Sequence, residues 1–86
     1  MDHFVYMIKT INSKVNKTYV GYSTNPKKRL KQHNLHIGAK STKGHKWKII
    51  YSRKYKSKIK AMREEYKLKK NYQLRKIIKN KYLRNA

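Results

Sequence analysis

Lys17-Thr18-Tyr19-Val20-Gly21-Tyr22-Ser23-Thr24-Asn25-Pro26 decides the fold, because a strand pattern gives way there to a helix start within one short stretch. Tyr19, Val20 and Tyr22 favour a pleated surface, and the polar turn ahead of them (Asn12, Ser13, Lys14, Asn16) makes Lys17 to Ser23 the returning strand of a hairpin. Its partner is His3 to Lys9, with Phe4, Tyr6 and Ile8 on one face and Val5 and Met7 on the other. Gly21 gives up side-chain packing inside a strand, which marks a bulge or the close approach of another backbone or a ligand. Asn25 caps a helix whose first residue is Pro26, where a missing N–H costs nothing. That helix runs to about Leu35, with Gly38 as its terminator.

Beyond it, Ala39 to Lys46 is a polar, basic loop. Trp47 to Tyr55 is a third strand, in which Trp47, Ile49 and Tyr51 alternate with other residues. Ser57 caps a helix over Lys58 to Lys70. A last amphipathic, basic helix carries Leu74, Ile77, Ile78 and Tyr82 at helical spacing. The expected class is α/β in the α+β sense: a small three-stranded antiparallel sheet flanked by helices, in the order ββαβαα. Residues 1–70 form the domain proper, and residues 71–86 form a helix packed on it.

Composition narrows the function. Twenty-five Lys and Arg stand against three acids, a net charge of +22 on 86 residues. Self-repulsion on that scale opposes folding unless a polyanion or salt offsets it, and nucleic acid is the polyanion that rewards it by counterion release. Codon bias toward Lys, Asn, Ile and Tyr is the alternative source of such a charge. A small core must be built mainly from eight tyrosines, Trp47, Phe4 and scattered aliphatics. The absence of cysteine excludes disulfides and thiolate metal sites. With no signal-like start and no long apolar run, the chain is expected inside the cell, in cytoplasm or nucleoid/nucleus, and off the membrane.

Among the three acids, Glu65 is out of place. On a helical wheel Leu68, Ala61, Met62, Tyr66 and Ile59 share a buried arc of roughly 180°. Glu65 falls inside it, whereas Glu64 falls outside among lysines. An inward carboxylate needs a cationic partner or a metal. Arg29 and His33 lie four residues apart beside the Leu30 and Ile37 stripe, where they act on a phosphate or merely line the boundary. Tyr6 and Tyr19 are core fillers, or bases if nearby positive charge lowers their pKa. His3, His33, His36 and His45 lack the spacing of a zinc site.

Together these residues resemble the GIY-YIG nuclease family. The signatures stand as Val5-Tyr6-Met7 and Tyr19-Val20-Gly21, followed by Asn25-Pro26-Lys27-Lys28-Arg29-Leu30-Lys31-Gln32-His33-Asn34, by Gly38-Ala39-Lys40-Ser41-Thr42-Lys43-Gly44 and by Ala61-Met62-Arg63-Glu64-Glu65. The match covers residue 4 to about residue 70. It implies a metal-dependent DNA endonuclease with one divalent cation, Mg2+ or Mn2+, on Glu65. It further implies that Tyr6 activates water, Tyr19 helps to position it, Arg29 stabilises charge on the phosphate, and His33 assists. Gly21, Lys28, Lys40 and Lys43 are expected to meet the substrate. That substrate is duplex or branched DNA, in a structure-specific or repair-related role, with a protein partner or homo-oligomer supplying specificity. The first signature lacks its flanking glycine and isoleucine, and Ile77 stands where many members carry a supporting asparagine. The alternative is a non-catalytic basic module that binds nucleic acid.

Overall fold

A computed structural model describes residues 1–11 and 14–85, so the turn residues Asn12 and Ser13 lie outside the described residues. The elements are β1 (His3–Thr10), β2 (Thr18–Ser23), α1 (Pro26–Asn34), a 3-10 turn (Lys40–Thr42), β3 (Trp47–Tyr55), α2 (Lys58–Lys70) and α3 (Tyr72–Arg84). The three strands form one antiparallel sheet, as the sequence predicts, and their order across it is β2-β1-β3. β1 is central and has helices on both sides, so four consecutive residues, Val5 to Ile8, are buried instead of every second one.

Local chemistry sets the helix starts. The Asn25 side chain accepts from the Lys28 N–H at 3.2 Å with Pro26 following it, and Ser57 accepts from the Lys60 N–H at 3.3 Å. Asn71 ends α2 and caps α3 by accepting from the Leu74 N–H at 3.0 Å. The end of α1 differs from expectation. Gly38 does not terminate it. His36 does, in the left-handed region at φ 63°, with Ile37 N–H donating to Gln32 C=O and His36 N–H donating to His33 C=O. That paired pattern closes the helix two residues before Gly38 and frees the glycine for another use.

Two packing layers cover the sheet. Val5, Met7 and Val20 meet Ala61 and Leu68 of α2 on one face; Tyr6, Ile8 and Trp47 pack with Tyr19, Leu30 and Ile49 on the face toward α1. The expected alternation of Trp47, Ile49 and Tyr51 breaks at a β-bulge. Ile8 opposes Ile49, but Met7 opposes Tyr51, which leaves Ile50 as the extra residue. Because side chains alternate with period two, one extra residue moves Tyr51 to the α2 face and brings Ser52 opposite Tyr6. The inward stripe of α2 is also narrower than the wheel arc. Ala61 and Leu68 are buried, whereas Ile59, Met62 and Tyr66 are exposed, since a domain this small has too little sheet to cover half a helix. α3 lies against α2 and β3 with Ile78 packed on the core, and none of its residues is fully buried.

Two expectations about stability follow. Leu68→Ala should cost about 2–5 kcal/mol, whereas Ile77→Ala, 61% exposed, should stay within about 0.5 kcal/mol; equal shifts in urea midpoint would contradict the assigned face of α3. Gly21→Ala should cost about 1–3 kcal/mol by the same measurement, because Gly21 stands opposite Tyr6 and an added Cβ would lie 2.5 Å from the Tyr6 ring and hydroxyl.

Candidate active site

β1 carries Tyr6 beneath the C-terminal half of α1, and the register that puts glycine opposite it lets its ring lie against β2. The close approach that Gly21 permits is therefore that of Tyr6, and Gly21 itself is buried. The Tyr6 hydroxyl is 2.9 Å from His33 Nε2, His33 Nδ1 is 2.9 Å from Thr42 Oγ1, and Thr42 Oγ1 is 2.7 Å from the Ala39 carbonyl. Tyr6, His33 and Thr42 are all buried.

Donor and acceptor inventories give this row a direction. A carbonyl only accepts, so the Thr42 hydroxyl donates to Ala39 and presents a lone pair to His33. His33 then carries its proton on Nδ1 and leaves Nε2 as an acceptor. Tyr6 donates to Nε2. The neutral imidazole that this requires is favoured, because burial holds the His33 pKa below its ordinary value and the Arg29 charge pushes in the same direction.

Tyr6 itself departs from the expectation that positive charge lowers its pKa. Burial pushes it up to about 12, Tyr19 and Glu65 add to the rise, and Arg29 opposes it without overcoming it. At neutral pH Tyr6 is a phenol. The surface lysines do not reverse this, because water screens them while burial penalises the phenolate directly.

The other expected residues gather around this row to different degrees. Tyr19 opposes Ile8, so it shares the face of Tyr6, and its ring packs edge-on to His33 at 5.1 Å between centroids. Arg29, one turn before His33 on α1, donates to Gln32 Oε1 at 2.9 Å and acts electrostatically on both Tyr6 and His33. Lys28, Lys40 and Lys43 are exposed on α1 and beside the 3-10 turn, flanking the segments that hold His33 and Thr42.

Glu65 comes from α2, the layer on the opposite face. Its side chain is 15% exposed and its carboxylate is 3.5 Å from Lys69 Nζ. Lys69 lines a depression with Thr18, Tyr19 and Val20 of the edge strand β2, and the Glu65 charge acts on Tyr6. Glu64 is not simply solvated. It is 31% exposed, 3.6 Å from Lys67, and lines a separate cleft of about 240 Å³ with Tyr51, Arg53 and Tyr55. Adjacent positions on a helix thus send the two carboxylates to different sides of the domain.

The donor set limits what cation fits. Among the described residues no group of three or more His, Cys, Asp or Glu side chains could hold a metal ion. Both His33 nitrogens are engaged, His3 bonds Tyr22 at 2.6 Å, and His36 Nδ1 accepts from the Gly44 N–H at 3.1 Å. A single carboxylate such as Glu65 would leave a hard divalent cation most of its waters, and that cation would have to displace Lys69. Such a donor set does not suit zinc.

Three residues that sequence reasoning passed over complete the site. Thr42 orients His33. A Cβ on Gly38 would stand 2.5 Å from His33 Nδ1, so Gly38 lets the loop lie against that ring. Asn34 ties the end of α1 to the start of β3, accepting from the Trp47 N–H at 2.7 Å and donating to the Trp47 C=O at 3.2 Å. None has a periodic signal, although all three lie inside the quoted motifs.

Known proteins resemble this chain in sequence and fold. The GIY-YIG catalytic domain model matches residues 2–82. A UPF0213 protein of Staphylococcus haemolyticus is 41% identical over 68 residues, spanning 78% of this chain and 79% of the relative. The UPF0213 protein YazA of Bacillus subtilis is 39% identical over 70 residues, spanning 80% and 68%. The solution NMR structure of a UPF0213 protein from Bacillus halodurans superposes with a TM-score of 0.52 at 34% identity, covering 88% of this chain and 79% of that one. With a three-stranded β2-β1-β3 sheet, the signature tyrosines on one face and the family model matched over nearly its whole length, this chain belongs to the GIY-YIG family.

Proposed function

We propose that this protein is a nuclease that hydrolyses phosphodiester bonds in DNA with one divalent cation, Mg2+ or Mn2+, held by Glu65. The observation that carries the reading is the 2.9 Å contact between the Tyr6 hydroxyl and Nε2 of a buried histidine whose pKa burial holds below its ordinary value. A phenol with a pKa near 12 is a poor base by itself. Given an acceptor 2.9 Å away it can pass protons on. A water proton moves to the Tyr6 oxygen while the Tyr6 proton moves to His33 Nε2. The hydroxide forms a bond to phosphorus as the bond to the leaving oxygen breaks. The leaving oxygen, in line on the far side of phosphorus, takes a proton from solvent, and His33 then returns its own to solvent through Tyr6, leaving a phosphate monoester and an alcohol. Arg29 opposes the negative charge that builds on the phosphate. A cation on Glu65 would supply Lewis-acid polarisation of the phosphate and lower the pKa of a bound water.

The +22 charge supplies affinity for the backbone of duplex or branched DNA, and the choice of DNA structure would come from a protein partner or a homo-oligomer. A repair-type role inside the cell, in cytoplasm or nucleoid, suits that substrate. One observation favours a second reading: Lys69 at 3.5 Å already neutralises Glu65, as in a module that only binds.

Glu65→Gln and Tyr6→Phe should each slow cleavage of plasmid or branched DNA by on the order of 10²-fold or more, with binding retained. Wild-type rates for Glu65→Gln would remove the cation assignment. A wild-type protein that binds with a steep salt dependence and cuts nothing would establish the binding module.

The pH dependence has a defined sign. Because the folded His33 pKa lies below the ordinary 6.5, the unfolded chain binds more protons in between. The stability due to His33 is therefore fully present above 6.5 and lost as pH falls through its folded value. The cleavage rate should fall in the same acid window as Nε2 stops accepting. His33→Asn should flatten this part of the thermal-denaturation profile.

A further inference from the structure

We infer that Thr42 is a positioning residue that sets the His33 tautomer, and so decides whether Tyr6 has anywhere to send its proton. The inference rests on the nuclease reading for its rate effect but not for its tautomer. Thr42 has one hydroxyl proton and a fixed carbonyl acceptor in Ala39 at 2.7 Å. The 3-10 turn does not need that bond, because the Thr42 N–H already closes the turn onto the Ala39 carbonyl at 3.0 Å. What the side-chain bond does is orient the hydroxyl so that its lone pair faces His33 Nδ1 at 2.9 Å. The Thr42 backbone is held as well, since the Trp47 indole N–H donates to its carbonyl at 2.8 Å. Gly38 lets the loop sit against the ring, where any Cβ would collide with Nδ1.

The alternative tautomer shows why this matters. With the proton on Nε2, His33 would donate to the Tyr6 oxygen, occupying the position that a departing proton needs. Nδ1 would then face an oxygen whose proton is committed to Ala39, giving a weak contact at a fully buried site. Thr42 therefore biases a neutral ring toward the one form that accepts from Tyr6. It touches neither the phosphate nor the water, and acts through His33 alone.

Thr42→Val keeps the branched shape and removes the hydroxyl; Thr42→Ser keeps the hydroxyl. The test reads the ¹⁵N shifts of the His33 ring in metal-free, DNA-free protein, with single-turnover cleavage alongside. Wild type and Thr42→Ser should show a protonated Nδ1 and an unprotonated Nε2. Thr42→Val should show a mixture or the reverse, with kcat down by on the order of 10²-fold, KM for DNA changed less than about twofold, and an altered acid limb in the pH–rate profile. Thr42→Ser should recover most of the rate. An unprotonated Nδ1 in the wild type overturns the inference, whether or not the valine variant folds. So does a valine variant with the wild-type tautomer and rate. If the wild type cuts nothing while the tautomers follow the hydroxyl as stated, the nuclease reading fails and the positioning role of Thr42 stands.

Discussion

The hydrogen bond from Tyr6 to His33 is the contact on which the rest of the site depends, because it joins the central strand to the helix on one face of the sheet at full burial. A buried hydroxyl or ring nitrogen left without a partner costs about 1–3 kcal/mol. The site is arranged so that neither is left unpaired. Gly21 makes room for the Tyr6 ring, α1 presents His33 one turn after Arg29, and the 3-10 turn brings Thr42 to the far side of the imidazole. Each of these is a constraint on backbone position as much as on chemistry. A β2 residue with a Cβ in place of Gly21, or a bulky residue in place of Gly38, would displace the rings before it changed any donor or acceptor.

The β-bulge at Ile50 does related work on the other side of β1. A regular ladder would continue from Ile8–Ile49 to place Tyr51 opposite Tyr6. The extra residue puts the small Ser52 there instead and sends Tyr51 to the α2 face, where it packs with Val5 and Met7. The β3 position directly opposite Tyr6 thus carries no large ring, and Trp47 of the same face lies further along, opposite Thr10. On the β2 side Tyr19 provides an aromatic wall against His33.

Electrostatics divides the molecule into a screened exterior and a buried interior. All three acids are already in ion pairs, Asp2 with Lys54 and Lys56, Glu64 with Lys67 and Glu65 with Lys69. Most of the 25 cations therefore face solvent without an acid, several of them over tyrosine rings such as Tyr66, Tyr72 and Tyr82. Such charges attract a polyanion over a Debye length of about 10 Å at 0.1 M salt, yet they leave Tyr6 a phenol. Inside the site burial raises its pKa, Tyr19 and Glu65 add to the rise, and Arg29 alone opposes it without overcoming it.

The sequence by itself determined the elements and their order, and it singled out Tyr6, Tyr19, Gly21, Arg29, His33 and Glu65 as candidates, because those signals are recorded in local chemistry. Asn25-Pro26, Ser57 and the alternation around Tyr6 act over a few residues, and Gly21 marked a close approach before its cause was known. It also separated Glu65 from Glu64, although their difference is one of direction more than of exposure. Only the tertiary structure decided that His36 ends α1, that the bulge redirects Tyr51, and that Met62 and Tyr66 stay outside. It alone raised the pKa of Tyr6 and joined Thr42 to His33. The physical reason is common to these cases. Burial, register and hydrogen-bond partnership arise between residues that are distant along the chain, so no local pattern of apolar, polar or charged residues can encode them.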